Sequence, residues 1–540
     1  MKRNSQVLLA LASFAAVSHT HAVEIETGDS DVKLRWDNTV KYSTAFRLKD
    51  RAAALTNDAN QDDGNRNFGK GMVSNRVDLL SEFDLTYKNL GARVSGAAWY
   101  DSVYHRATDN NFPFTYNAMS VTASAFPAAT RDLHGSKGEL LDAFVFAKGD
   151  VGGMPGSVRI GRHALVYGET LFFGNNGIAA AQQPIDVVKL LSVPNTQFKE
   201  LIRPVGQVSG QLQVQPNLTL GGYYQYRWEK NVMPGVGSYF AGADFFDAGG
   251  ERLFTGPASA DLRGSDLRAK NSGQGGLQVK WSPQGSGIDV GFYAAQYHDK
   301  SPQIVIRPAT SSYVLAYHED IRTYGASVST TVGEFNFSAE ASVRRNTPLV
   351  QAGTPDLFGV VPAMFGGPLA PADNSNNPSY PVGNSAHFNL STLASFGPSV
   401  IASEASLVGE LAWNRLTGIT KNAAMLDPGA TRDAWGMRMV YTPSYRQVLP
   451  GLDLNVPVGL SYFPKGRSSV ITAFGPDKGG DVSVGISGEY MSTWNFGLNV
   501  THFYGAAGNA TALHGQGSVF TFKQNFKDRD FISLSVRRTF

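Results

Sequence analysis

The sequence predicts an all-β protein, a transmembrane antiparallel β-barrel with an inward-folded loop. Three observations predict it. Apolar and polar residues alternate with a period of two along most of the chain, the pattern of strands with one face in an apolar medium and one in water. The connections alternate between tight turns and long polar loops, as they do in outer-membrane barrels. The chain ends in an alternating segment whose last residue is Phe540.

Composition agrees with this class. Of 540 residues, 42% are hydrophobic, 11% are aromatic and 58 are glycine, a mix that favours strands and turns over helix. No run of about 20 apolar residues occurs, so no helix is expected to span a bilayer. The net charge of +2 gives no reason to expect nucleic acid as a partner. Cysteine is absent, which excludes disulfides, thiol catalysis and cysteine-based metal sites.

The elements follow in order. Residues 1–22 read as a secretory signal peptide: Lys2 and Arg3 are basic, Val7 to Val17 is apolar, and Thr20-His21-Ala22 resembles a cleavage site. The barrel is then 23–540. Val32, Leu34, Trp36, Val40 and Tyr42 share the apolar face of its first strand, with Lys33, Arg35, Asp37, Thr39 and Lys41 opposite. Val77, Leu79, Phe83, Leu85 and Tyr87 repeat the pattern, as do Leu218, Leu220, Tyr224, Tyr226 and Trp228. Ile401 to Trp413 and Leu452 to Tyr462 continue it. Tight turns are expected at Asn89-Leu90-Gly91, Gln215-Pro216-Asn217, Pro283 to Gly287, Val332-Gly333-Glu334 and Phe396 to Ser399. Long loops are expected at 49–73, 105–137, 231–270, 346–383 and 505–528. The tally is about 18 strands, with 16 or 14 as alternatives because segments 138–148 and 384–395 are faint. A soluble β-sandwich would also alternate, but it supplies no reason for the short–long rhythm. At the end, Ile532, Leu534, Val536 and Phe540 resemble the C-terminal signal read by the barrel-assembly machinery, with Arg538 as a departure.

Residues opposite the apolar faces should line the lumen. The expected wall includes Arg35, Arg76, Asp78, Glu82, Arg93, Asp101, Arg227, Glu229 and Glu404, with Glu340, Arg344 and Glu410 on later strands. Both signs are mixed, so cross-strand ion pairs are expected and strong ion selectivity is not. Residues 165–200 are too long for a turn and too apolar for a loop in water: Leu171, Ile178, Val187, Val188, Leu190 and Leu191 all lie there. This segment is predicted to fold into the lumen and narrow it. Arg162, Tyr167, Glu169, Asp186, Lys189 and Arg203 would anchor it, and His163, Phe172 and Phe173 would meet a solute or plug the passage.

The run IGRHALVYGETLFFGNNGIAAAQQPIDVVKLLSVPN, with ELIRPVGQVSGQLQV and YYQYRWEKNVMPGVGSYF, resembles a family of Gram-negative outer-membrane proteins described mainly by a domain of unknown function. The family pattern is Gly-Arg-Gln, Trp-Gly-Glu-Ser, Asn-Pro-x-Asp and Trp-Glu-Lys. Here His163 stands for Gln, Tyr167 for Trp, Thr170 for Ser, and Gln183-Pro184-Ile185-Asp186 for the Asn-Pro-x-Asp turn. The resemblance covers nearly the whole mature chain and implies an outer-membrane location and a barrel. Members are often encoded near RND-type exporters of lipids and near catabolic genes for hydrophobic compounds, which implies traffic of apolar molecules.

The functional expectation is a channel for hydrophobic or aromatic small molecules, passive or coupled to a periplasmic or inner-membrane partner such as an RND-type exporter. Outer-membrane lipid, lipopolysaccharide and the barrel-assembly machinery would be its other partners. A structural or adhesive surface protein is an alternative, motivated by the long loops 231–270 and 346–383. An outer-membrane hydrolase is another, but no Gly-x-Ser-x-Gly elbow is present. His105, His134, His298, His318 and His502 lack metal-ligand spacing. No enzyme, cofactor or metal is therefore expected.

Overall fold

The computed structural model describes residues 23–25, 28, 30–194, 196–356, 370–514 and 517–540; the expected leader, 1–22, lies outside the described residues. Eighteen antiparallel strands form the wall. They are β1 Val32–Arg47, β2 Gly71–Tyr87, β3 Leu90–Asp101, β4 Ser136–Val151, β5 Met154–His163 and β6 Val205–Gln215. Next come β7 Leu218–Gln225, β8 Gln274–Trp281, β9 Ile288–Tyr297, β10 Ile321–Val332, β11 Phe335–Pro348 and β12 Val382–Phe396. The last are β13 Glu404–Lys421, β14 Asp433–Leu449, β15 Leu452–Lys465, β16 Gly479–Tyr490, β17 Trp494–Tyr504 and β18 Phe531–Thr539.

Each strand pairs with its sequence neighbours, and β18 pairs with β1 from Thr39↔Thr539 to Arg47↔Phe531, closing the barrel. Phe540 completes the seam: its N–H donates to Asn38 O at 2.9 Å and its carbonyl accepts from Asn38 N at 2.7 Å. Beyond Asn38, Val23–Ile25 pairs with Leu34–Trp36. Among the described residues, every wall strand pairs with a neighbour on both sides.

The strands form because their side chains alternate between two media. Directly opposed residues share a face, so the pairs Phe83↔Val94, Leu79↔Ala98 and Val77↔Tyr100 look outward, and Asp84↔Arg93 and Glu82↔Ser95 look inward. Outward-facing Trp36, Leu79, Val94, Ile160, Phe292, Leu390 and Val484 are all exposed, whereas inward-facing Asp37, Lys41, Arg76, Glu340, Glu410 and Ser461 are buried. The faint segments 138–148 and 384–395 are full crossings within β4 and β12. β4 is hard to read because a bulge opposite Val94–Gly96 breaks its period.

Eight tight turns lie at one end and nine longer connections at the other. Three of the long connections share a five-stranded sheet built from 252–256, 259–263, 303–307, 312–316 and 354–355. Residues 511–514 and 517–520 make a hairpin inside the last loop rather than a wall strand. The loop 226–273 reaches over the mouth, where Tyr239 and Phe240 pack with Phe68, Tyr104, Phe126 and Phe503. Arg47 ties the loop layer to the seam, with its guanidinium 3.0 Å from Asp528 and donating to Asn65 and Phe68.

Four expectations are corrected. β7 ends at Gln225, so Arg227 and Glu229 are loop residues, not lumen wall. Trp228 has the right parity for the strand, but its N–H binds Asn271 Oδ1 and its ring packs on Tyr317 within the loop layer. Ile401 lies in the turn before β13, and β15 is interrupted at Val456-Pro457.

His134 tests the loop layer. It is buried just before β4, stacks on Tyr104 at 4.8 Å and accepts the Gly235 N–H through Nε2 at 3.0 Å. Burial, with the nearby Arg76 charge, pulls its pKa down to about 3. The folded pKa is depressed, so the stability it confers is complete above the ordinary value of 6.5 and declines as pH falls towards 3. Loop-layer stability, followed by protease resistance, should fall with pH below 6.5, by up to about 1.4 kcal/mol per unit. His134→Gln should flatten that dependence.

Candidate functional site

The connection 164–204, between β5 and β6, bridges the lumen. It begins where β5 ends. Gly161 there has φ +131°, and a Cβ would meet Ala143 O at 2.4 Å, so only glycine holds this close pairing with β4. The chain then runs to the far wall. Phe173 packs edge-on against Phe463 of β15 at 6.0 Å, nine strands round from β6 in a wall of eighteen.

Two wall carboxylates hold the crossing segment by its backbone. Glu340 on β11 accepts the N–H groups of Glu169 at 2.8 Å and Ile178 at 2.6 Å. Glu410 on β13 accepts those of Leu171 at 3.0 Å and Phe173 at 2.9 Å, and that of Phe172 between them. Three successive N–H groups on one carboxylate oxygen form an anion nest. Hydrogen bonds to a charged acceptor contribute about 1.5–3 kcal/mol each. Gly168, at φ +95°, permits the approach to Glu340, since a Cβ would sit 2.2 Å from Oε2. Arg344 of β11 donates to the carbonyls of Asn175 and Gly177, both at 2.8 Å. Asn176 is buried between Asn389, Trp413 O and Asn414.

The returning half is fixed to the near wall. Asp186 caps the short helix Val187–Ser192 through the Lys189 N–H. Lys189 and Arg203 converge on Glu139 of β4 at 2.8 and 2.9 Å, and Arg203 lies 3.7 Å from Asp186. Lys199 pairs with Glu82 of β2.

The nine residues expected at the constriction therefore separate. Asp186 and Lys189 are buried anchors, and Arg203 is a half-buried one. Tyr167 is buried with Ile178, Tyr223 and Tyr293. His163 is 1% exposed, with Nε2 2.7 Å from Ser209 Oγ, so it is wall packing that a solute cannot touch. Arg162 falls on the outward parity with Val158 and Ile160 and pairs with Glu229 at 2.5 Å, at the rim. Glu169 and Phe173 stay half-buried. Phe172 is 36% exposed, and the Arg438 guanidinium of β14 lies 5.6 Å from its ring centre. Lys280 of β8 is 3.5 Å from Glu169. Of the expected lumen wall, Arg76–Asp78 and Arg93 with Glu82 and Asp84 make inward ion pairs. Arg35 pairs with Asp37. Glu404 pairs with Arg446 at the tight-turn end. Asp101 accepts from Ser74, Asn75 and Val103, closing β3 rather than lining a passage.

A profile of the family described as "Protein of unknown function (DUF1302)" matches residues 3–540. The chain belongs to the DUF1302 family. No curated protein matches it. Among solved structures, this DUF1302 chain is similar to OccAB1 of Acinetobacter baumannii, with a TM-score of 0.44 and 9% identity over 97% of this chain and 99% of that one. The outer membrane protein opdK of Pseudomonas aeruginosa gives 0.42 and 10%, over 94% and 98%. The outer membrane channel DcaP of Acinetobacter baumannii gives 0.38 and 8%, over 96% and 100%.

Alternation puts Glu340 and Glu410 of the DUF1302 chain on inward faces, but their partners, main-chain N–H groups from a remote loop, leave no local trace in the sequence. Asn176 carried a readable signal: a buried polar side chain in an otherwise apolar insert needs partners. Arg438 and Lys280 carry no local signal that sets them apart from other strand cations.

Glu410→Ala removes the acceptor of three successive N–H groups. Hydrogen exchange at 171–173 should accelerate by tenfold or more, on the order of 1.4 kcal/mol of lost protection, while exchange at β2 and β3 stays unchanged. Equal exchange in both proteins would show that the nest does not hold the segment.

Proposed function

We propose that this barrel is a channel of the Gram-negative outer membrane for hydrophobic or aromatic small molecules. A closed sheet with an apolar outer band and a polar lumen suits a protein that crosses lipid, because every backbone polar group is paired within the wall. The observation that carries the reading is the lumen crossing at 169–178. Its polar backbone is tied to Glu340 and Glu410, while the Phe172 ring is left accessible beside Arg438. An apolar ring flanked by a cation, with the Lys280–Glu169 pair nearby, offers contact area to an aromatic body and polar contacts to its substituents. Mixed charge along the remaining wall gives small ions no consistent field to follow.

Uptake of a hydrophobic aromatic compound into vesicles carrying the protein tests the reading. Replacing 165–200 with a short Gly-Ser linker should raise general permeability several-fold and abolish the preference for aromatic over aliphatic solutes of equal size. An unchanged preference would overturn the role given to Phe172 and its neighbours. The membrane itself is tested separately. Leu79→Arg, in mid-strand on the outward face, should cost about 2–4 kcal/mol in refolding into lipid. A soluble barrel would tolerate it.

A further inference from the structure

The loop layer holds a group of buried acids that the channel reading does not use. Asp62 and Asp63 begin the short helix Asp63–Arg66 in the loop after β1. Asp244 comes from the loop after β7, and Asn117 from the loop after β3. Asp62, Asp63 and Asn117 are 0% exposed and Asp244 is 1% exposed. One carboxylate oxygen from each aspartate lies within 4.8 Å of the others.

The hydrogen bonds leave one side of every carboxylate bare. Asp62 Oδ2 accepts from Arg66 and from Thr115 Oγ1. Asp63 Oδ2 accepts the Asn117 N–H at 3.0 Å, and Asp244 Oδ2 accepts the Asp63 N–H at 2.9 Å. The Oδ1 atoms of all three are buried and have no hydrogen-bond partner. Asn117 repeats the arrangement: its Nδ2 donates to Asn60 Oδ1 and Arg252 O, and its Oδ1 has no partner. Arg66 is the one cation paired directly with the three acids among the described residues.

We infer that Asp62, Asp63 and Asp244, with Asn117 beside them, form a binding site for a hard divalent cation of the calcium class. Four buried oxygens without donors are costly unless a cation or protons meet them. Protons serve this group poorly. A proton on one carboxylate oxygen can reach only one other oxygen, so a single proton leaves two of the four bare. A cation can meet one oxygen from each of the three carboxylates together. An all-oxygen donor set selects a hard ion. Two oxygens on one calcium, each at about 2.3–2.6 Å, can stand up to about 5 Å apart, which accommodates this spacing as it stands. Magnesium at about 2.0–2.1 Å demands near-ideal octahedral geometry, which carboxylates carried on separate loops are less suited to supply. The ion would join three loops that share no wall strand, directly beside the Phe68–Tyr239 cluster that covers the mouth. The backbone favours the same junction: Gly64 lies so close to the loop after β7 that a Cβ would meet Ser238 O at 2.7 Å.

Full-length protein in detergent, stripped with EDTA, is titrated calorimetrically with calcium chloride and with magnesium chloride. Calcium should bind with one ion per chain and more tightly than magnesium, and should protect the loops after β1, β3 and β7 from protease. Asp244→Asn, similar in shape, should weaken calcium binding by roughly tenfold or more, with heat-modifiable gel migration reporting an intact barrel. If that variant does not assemble, Asp63→Asn takes its place under the same criterion. Absence of a calcium signal in the unaltered protein overturns the inference. So does equal binding in the assembled variant, as retained lipopolysaccharide phosphates would produce.

Discussion

Closure is the constraint on which everything else in this molecule depends. A sheet edge in an apolar medium leaves N–H and C=O groups that nothing can satisfy. The chain removes that edge by pairing its first wall strand with its last, and Phe540 and Asn38 exchange the final two bonds. Once closed, the wall fixes two populations of side chains, since alternate residues have no choice of side. The exposed Trp36, Leu79 and Phe292 and the buried Asp37, Arg76 and Glu410 result from the same ring.

The closed wall creates a second demand. A loop that enters the lumen brings backbone donors among wall side chains, without the ladder of partners that a strand would give them. The wall answers with carboxylates at Glu340 and Glu410 and a guanidinium at Arg344, each turned to main-chain atoms of the loop. On the near side the polarity is reversed, and the loop supplies Lys189 and Arg203 to a wall acid, Glu139. The ion pairs of the lumen are therefore more than a lining. They determine where the bridge stands and which of its side chains remain uncovered.

Much of the wall was legible because period-two alternation is local. A strand such as Gly71–Tyr87 declares both faces within a few residues, and the short–long rhythm of connections orders the strands. The apolar run of 165–200 likewise declared that it could not lie in water. Faces of individual residues near strand ends were less legible. Arg162 and Trp228 keep a strand's parity while belonging to the rim and the loop layer, because tertiary packing sets where pairing stops. The least legible feature was convergence over long separations. Nothing in the neighbourhood of Asp62-Asp63 points to Asp244, and nothing near Glu410 points to Phe172. Such meetings depend on loop trajectories across a finished barrel, which local periodicity does not encode.

The manner in which the lumen bridge is held has a consequence for how such proteins diversify. Glu340, Glu410 and Arg344 grip peptide groups, which every residue other than proline provides in full. The exposed side chain at Phe172 can therefore be exchanged with little effect on the bridge's position, whereas Phe173 is held by Phe463. Mutation can rewrite the surface that the bridge presents to the lumen while the scaffold stays fixed, so that surface can change between lineages without a detour through unstable intermediates.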